Sequence, residues 1–161
     1  MVLFLEAYLL IAGLFSVPWV RTSKSMARAM LELAELEFGQ KVLDLGSGDG
    51  AIVFTAVEMG GQGIGLERLS LLVWYARFKA FFKRTQTQAL FFRADIFRDP
   101  LPPADIITSY LFASVNAQIE PRLKETYPVG TLVVSRVFPF PTLLLIKQFV
   151  HKGSTLYLYK L

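Results

Sequence analysis

Apolar positions along this chain change period several times, and the changes mark out its elements. From Ser23 or Ser25 to Glu37, the residues Met26, Met30, Leu33, Ala34 and Leu36 recur at helical spacing. They predict a helix capped by one of the two serines. Phe38-Gly39-Gln40 breaks it. Lys41–Leu45 is a short apolar run of strand length, and Ala51–Met59 reads as a helix. Gly60-Gly61 is a turn, Gly63–Glu67 a second strand, Ser70–Arg84 a helix and Ala89–Arg93 a third strand. A proline-rich loop, Asp99–Pro103, leads to a strand over Asp105–Ser109, a helix over Ala113–Thr126 and a strand over Gly130–Ser135. Leu143–Val150 and Ser154–Lys160 predict a closing hairpin around Lys152-Gly153. Strands alternating with helices predict a parallel sheet covered on both faces, which the hairpin makes mixed. Ligands in such folds sit beyond the carboxyl ends of the strands, at the switch point.

Two segments carry more apolar surface than a small domain needs. Between Val2 and Val20 only Glu6, Gly13, Ser16 and Pro18 are not clearly apolar. As a helix up to Val17 this run is about 25 Å long, just short of a full bilayer crossing. Arg21, Lys24 and Arg28 follow it and no Lys or Arg precedes it, which predicts a domain on the cytoplasmic side. The alternative is a helix packed on the domain as part of its core. The second segment is the helix from Ser70. Leu71, Trp74, Tyr75, Phe78, Phe81 and Phe82 form a wide stripe that predicts core. Leu69, Val73, Ala76 and Ala80 fall on the other side, between Arg77/Arg84 and Lys79/Lys83. That smaller strip is suited either to an anionic membrane or to ordinary solvent.

Composition then narrows the classes. The 161 residues suit one domain, and 53% of them are hydrophobic against 19% charged, more apolar than an average soluble domain. The net charge of +4 is too small to argue for nucleic acid. There is no cysteine and one histidine, His151. Thiolate chemistry is excluded, and no metal site or histidine-based triad is expected.

The chemistry concentrates in Val42-Leu43-Asp44-Leu45-Gly46-Ser47-Gly48-Asp49-Gly50. A strand runs into glycines at alternate positions and then into a helix start. Such a turn brings a ligand against bare backbone amides. Glu67 ends the second strand and Asp95 follows the third. Carboxylates at those places accept hydrogen bonds from ribose hydroxyls or an adenine amine. The spacing is G-x-G-x-G rather than the G-x-G-x-x-G of dinucleotide sites. Asp44 and Asp49 disfavour a pyrophosphate and suit a cationic cofactor with an amino-acid end. S-adenosyl-L-methionine has that character.

These residues, Asp44 to Gly50 with Glu67 and Asp95, resemble the seven-strand (class I) S-adenosylmethionine-dependent methyltransferases. Three flanking motifs narrow the resemblance: Pro18-Trp19-Val20-x-Thr22, Leu72-Val73-Trp74-Tyr75-Ala76-Arg77 and Arg136-Val137-Phe138-Pro139-Phe140-Pro141. They look like the small lysine methyltransferases that act on the ATP synthase c subunit and the adenine nucleotide translocase, a family with prokaryotic members. Arg21 stands where that family usually has proline, and Arg68 where it commonly has asparagine.

The resemblance implies an α/β Rossmann-like sandwich over residues 21–161, preceded by a hydrophobic helix over residues 1–20. It implies that Asp44, Gly46, Ser47, Gly48, Asp49 and Gly50 hold the methionine end of the cofactor. Glu67 would take the ribose, Asp95 and Ile96 the adenine, and Thr22 would close from the N-terminal side. Ser109 and Tyr110, after the fourth strand, are the candidates on the acceptor side. The expected reaction is N-methylation of an accessible lysine on a membrane-associated protein, with the enzyme itself at the membrane. The alternatives are methylation of a small molecule or lipid on the same fold, and a non-catalytic membrane-bound adaptor.

Overall fold

The computed structural model describes residues 20–161, so the apolar run up to Trp19, with Pro18, lies outside the described residues. Among the described residues, no helix is long and apolar enough to cross a membrane. The elements are α1 (Lys24–Leu33), β1 (Lys41–Leu45), α2 (Ala51–Glu58), β2 (Gln62–Glu67), α3 (Ser70–Phe82) and β3 (Ala89–Arg93). They continue with β4 (Ile106–Ser109), α4 (Ala113–Thr126), β5 (Leu132–Arg136), β6 (Leu144–His151) and β7 (Ser154–Lys160). One seven-stranded sheet runs β3-β2-β1-β4-β5-β7-β6. The first five strands are parallel and β7 is antiparallel to both β5 and β6. The mixed α/β sandwich expected from the sequence is borne out. The chain reverses direction across the sheet between β1 and β4, which places the switch point there.

Local chemistry explains most boundaries. Ser23 caps α1, its hydroxyl accepting from Met26 N. The helix ends earlier than its pattern predicts, because Glu35 turns left-handed (φ 53°) and Leu36 N bonds back to Leu31 O. That is a helix-terminating geometry independent of the apolar period. The β6–β7 hairpin turns at Lys152 and Gly153, both at positive φ, as a type I′ two-residue hairpin loop requires.

Successive residues of β1 point to opposite faces and build the two main cores. Val42 packs with Met26, Met30 and Leu31 of α1, and with Ile52 and Ala56 of α2. Leu43 and Leu45 pack with Ile119 and Leu123 of α4.

The orientation of α3 is the reverse of the one its pattern predicts. Leu72, Val73, Ala76 and Ala80 are buried, with the last three packed on Val53, Phe54, Ala89 and Phe91. The strip read as a possible membrane or solvent face is therefore core. The aromatic stripe faces out, with Trp74 65% and Phe82 67% exposed. Two tethers fix this rotation. Arg77 Nε donates to Phe91 O at 2.8 Å, and Lys79 Nζ donates to Asp49 O at 2.9 Å. Small residues on the inner side also let the helix axis approach the short edge strand β3 closely.

Gly50 starts α2 at φ +83°, and a Cβ there would lie 2.6 Å from the Phe91 ring. Gly50→Ala combines a left-handed non-glycine residue with a displaced aromatic. It is expected to destabilise the protein by about 2–4 kcal/mol. Thermal unfolding of the variant, read by circular dichroism, checks this.

Candidate active site

A cavity of about 290 Å³ opens at the carboxyl ends of β1, β2, β3 and β4. It is assembled by topology: residues distant in sequence end neighbouring parallel strands at the same edge. In register, Asp44 lies between Gly65 of β2 and Thr108 of β4. Asp44, Glu67 and Asp95 all line the cavity, together with Gly46, Ser47, Asp49, Ile96, Thr22 and Tyr110.

Asp44 is buried, and Thr108 Oγ1 donates to its Oδ1 at 2.8 Å. Burial pushes its carboxyl up to about 7. The Thr108 hydrogen bond works the other way, and the Glu67 and Asp49 charges add to the rise. A cation entering the cavity would reverse the balance and favour the carboxylate.

Glu67 closes the glycine turn onto β2. Its Oε2 accepts from Gly48 N at 3.0 Å and its Oε1 from Leu69 N at 2.9 Å. Each oxygen keeps a second lone pair for a ligand hydroxyl. The turn can lie this close because Gly65 has no side chain: a Cβ there would sit 2.5 Å from Ser47 Oγ. Ser47 Oγ is buried and has no hydrogen-bond partner among the described residues. A buried hydroxyl without a partner in a cavity wall is what an acceptor or donor on a bound ligand would satisfy. Asp95 Oδ1 accepts from Phe97 N at 2.9 Å. The following loop is fastened by Arg122, whose Nη1 donates to Ile96 O at 2.7 Å.

Several residues singled out from the sequence take other positions. Gly48 and Gly50 do not line the cavity. The first supplies its amide to Glu67 and the second its backbone conformation to the helix start. Asp49 reaches the cavity but is held by Arg21 at 3.2 Å and Lys79 at 3.4 Å. With Asp49 paired, the acids left to face a ligand are Asp44, Glu67 and Asp95. The unusual Arg21 has its partner here.

Ser109 does not reach the cavity. It is fully buried, and its hydroxyl donates to Asn116 Oδ1 at 2.8 Å. Asn116 Nδ2 in turn donates to Phe138 O at 2.9 Å and to Ser135 Oγ at 3.3 Å. This buried chain ties the ends of β4 and β5 to α4, and sequence reasoning missed it. Its one visible signal was that Asn116 falls at helical spacing with Ile119 and Leu123.

Tyr110 does line the cavity. Arg136 stacks its guanidinium 4.2 Å from the Tyr110 ring centre. Glu120, also missed, is buried in α4 and accepts from Thr142 N at 3.1 Å and Lys124 Nζ at 2.9 Å. Burial alone would raise its carboxyl, but the Thr142 and Lys124 hydrogen bonds outweigh that and hold it below the usual range. Among the described residues, no group of three or more His, Asp or Glu side chains is placed to hold a metal ion.

The sheet order, the glycine turn and three acids ending successive strands define a Rossmann-like methyltransferase domain. The chain belongs to the ANTKMT methyltransferase domain family, whose model matches residues 44–146. It is 35% identical to the adenine nucleotide translocase lysine N-methyltransferase of Mus musculus, over 78% of this chain and 55% of that protein. It is 30% identical to a protein-lysine N-methyltransferase of Saccharolobus islandicus, over 76% of this chain and 77% of that one. Among solved structures it is similar to an RNA methyltransferase of Salinibacter ruber in complex with S-adenosyl-L-homocysteine. That match has a TM-score of 0.83 and 34% identity, covering 88% of this chain and 93% of that one. The chain spans about half the length of the ATP synthase and translocase lysine N-methyltransferases it matches.

Proposed function

We propose that this protein is an S-adenosylmethionine-dependent protein-lysine N-methyltransferase. The observation that carries this reading is the convergence of Asp44, Glu67 and Asp95 on one cavity beside the orphan Ser47 hydroxyl. Relatives named as lysine methyltransferases support lysine as the acceptor. S-adenosylmethionine supplies an electrophilic methyl group on a sulfonium. Asp44 and the open Gly46 would hold its amino-acid end, Glu67 its ribose hydroxyls, and Asp95 with Ile96 its adenine.

The rest of the work is positioning. Tyr110 forms the wall on the acceptor side. A lysine must arrive as the neutral amine, against an ordinary pKa near 10.4. Partial desolvation beside Tyr110 and Leu111 favours that form, and the Arg136 guanidinium behind Tyr110 adds a like charge in the same direction. A non-catalytic adaptor would have no use for the three carboxylates. The apolar run before Pro18, with Arg21, Lys24 and Arg28 after it, supports a membrane-associated target and a domain on the cytoplasmic side.

Incubation with methyl-labelled S-adenosylmethionine and membranes of the source organism tests the assignment. The expected result is label on a protein band, lost when one lysine of that target is changed to arginine. Label appearing in RNA or extractable lipid instead would overturn the lysine assignment.

A further inference from the structure

We propose that the outward aromatic face of α3 rests on an anionic lipid bilayer. The face is a packed ridge. Trp74 and Phe78 rings stack at 5.7 Å, Phe78 and Phe82 lie at 4.5 Å, and Phe81 meets Phe82 edge-on at 5.7 Å. Leu71 and Tyr75 complete it, all six exposed. An apolar face of this size on the outside of a helix marks an interaction site.

Charge identifies the partner. From Arg68 to Ala94 the chain carries Arg68, Arg77, Lys79, Lys83, Arg84 and Arg93 and no acidic residue. Arg77 and Lys79 donate to backbone carbonyls and Lys83 pairs with Glu58 at 3.8 Å, which leaves the exposed Arg68, Arg84 and Arg93 to face a partner. A cationic rim around Trp, Tyr and Phe is the composition that sits at the headgroup level of an anionic membrane. A purely apolar occupant, such as the run Val2–Val17 with its single charge at Glu6, would leave that rim unused. RNA is disfavoured because the rings are packed on one another rather than open for base stacking.

The consequence is geometric. Leu69 and Leu72, at the start of α3, line the cavity, so a bilayer under α3 brings the cavity mouth close to the headgroups. The docking surface deepens the membrane association proposed above but does not depend on methyl transfer, and it is measured without it.

Trp19 and Trp74 are the only tryptophans. The full chain with Trp19→Phe therefore reports from α3 alone. On vesicles of phosphatidylcholine mixed with phosphatidylglycerol, Trp74 emission is expected to shift to the blue and to be quenched by acyl-brominated lipid. Added salt should weaken the effect. Phe78→Ser with Phe82→Ser should lower partitioning at least about tenfold.

Four results would overturn the proposal. The first is vesicle binding with unchanged Trp74 emission, which assigns the contact to another segment. The second is shielding of Trp74 from acrylamide without lipid, which means the chain itself or, if concentration-dependent, a second copy covers the face. The third is equal partitioning onto pure phosphatidylcholine. The fourth is an emission shift produced by RNA.

Discussion

Asp44→Asn is expected to weaken S-adenosylmethionine binding about a hundredfold, roughly 3 kcal/mol, the size of a lost charged hydrogen bond. It should also abolish the pH dependence of that binding. Asp44 is nearly isosteric with asparagine, and Thr108 can still donate to the amide oxygen, so the fold should persist. What disappears is the negative charge. In the native protein burial holds the carboxyl up at about 7, so below that pH the site carries a neutral acid. A cationic ligand binds the carboxylate, and affinity should therefore rise with pH through about 7 and then level off.

Stability of the ligand-free protein should move the opposite way. The folded carboxyl binds a proton more tightly than the unfolded one, whose ordinary value is 3.8. Folding is therefore favoured most below that value, and the advantage is lost as pH rises towards about 7. Asp44→Asn removes this slope. Calorimetric titration with the cofactor and thermal unfolding without it, each at about pH 6 and about pH 8, read the two effects. Equal affinity of the parent protein at the two values would refute the role of Asp44.

Glu67→Ala should be the more damaging substitution, because Glu67 serves both the turn and the ligand. Its two oxygens satisfy the amides of Gly48 and Leu69. Losing both leaves two donors in a largely buried turn without partners, at about 1–3 kcal/mol each. The midpoint of thermal unfolding should fall by roughly 5–15 °C for a chain of this size, and cofactor binding should become undetectable. Glu67→Gln separates the two effects. One amide keeps its acceptor oxygen while the other faces an NH₂ group, so stability should recover in part while affinity stays low. An alanine variant that melts with the parent protein would show that the turn does not hang on Glu67.

Much of the site was legible because its chemistry lies at strand ends. A parallel sheet aligns those ends at one edge, so Asp44, Glu67 and Asp95, far apart in sequence, had to converge once the strands were recognised. The hairpin was legible from local chemistry as well, since a glycine in Lys152-Gly153 suits the positive φ of a tight two-residue turn. The glycines were less transparent. Their spacing announced a tight turn, but it did not say that Gly46 would face the cavity while Gly48 and Gly50 served the turn and helix start behind it. Ser109 and Tyr110 are neighbours, yet Ser109, the last residue of β4, turns inward to Asn116 while Tyr110, just past the strand, reaches the cavity. Which of the two goes which way depends on the sheet's register.

The succession of strands and helices, the glycine turn and the three acids around it could all be read from the linear pattern. All of these depend on local periodicity, on turn chemistry and on a sheet topology with few alternatives. Which side of α3 faces inward depends on packing between distant elements. Periodicity shows which residues share a face, not which face turns inward. Here small residues pack onto Phe54 and Phe91, and Arg77 and Lys79 reach partners on other elements. Those contacts outweigh the burial that the aromatic stripe would otherwise gain. They also determine that Asp49 is neutralised by Arg21 and Lys79 while Asp44 is not. Charge pairing across the fold depends on distances that no linear pattern contains.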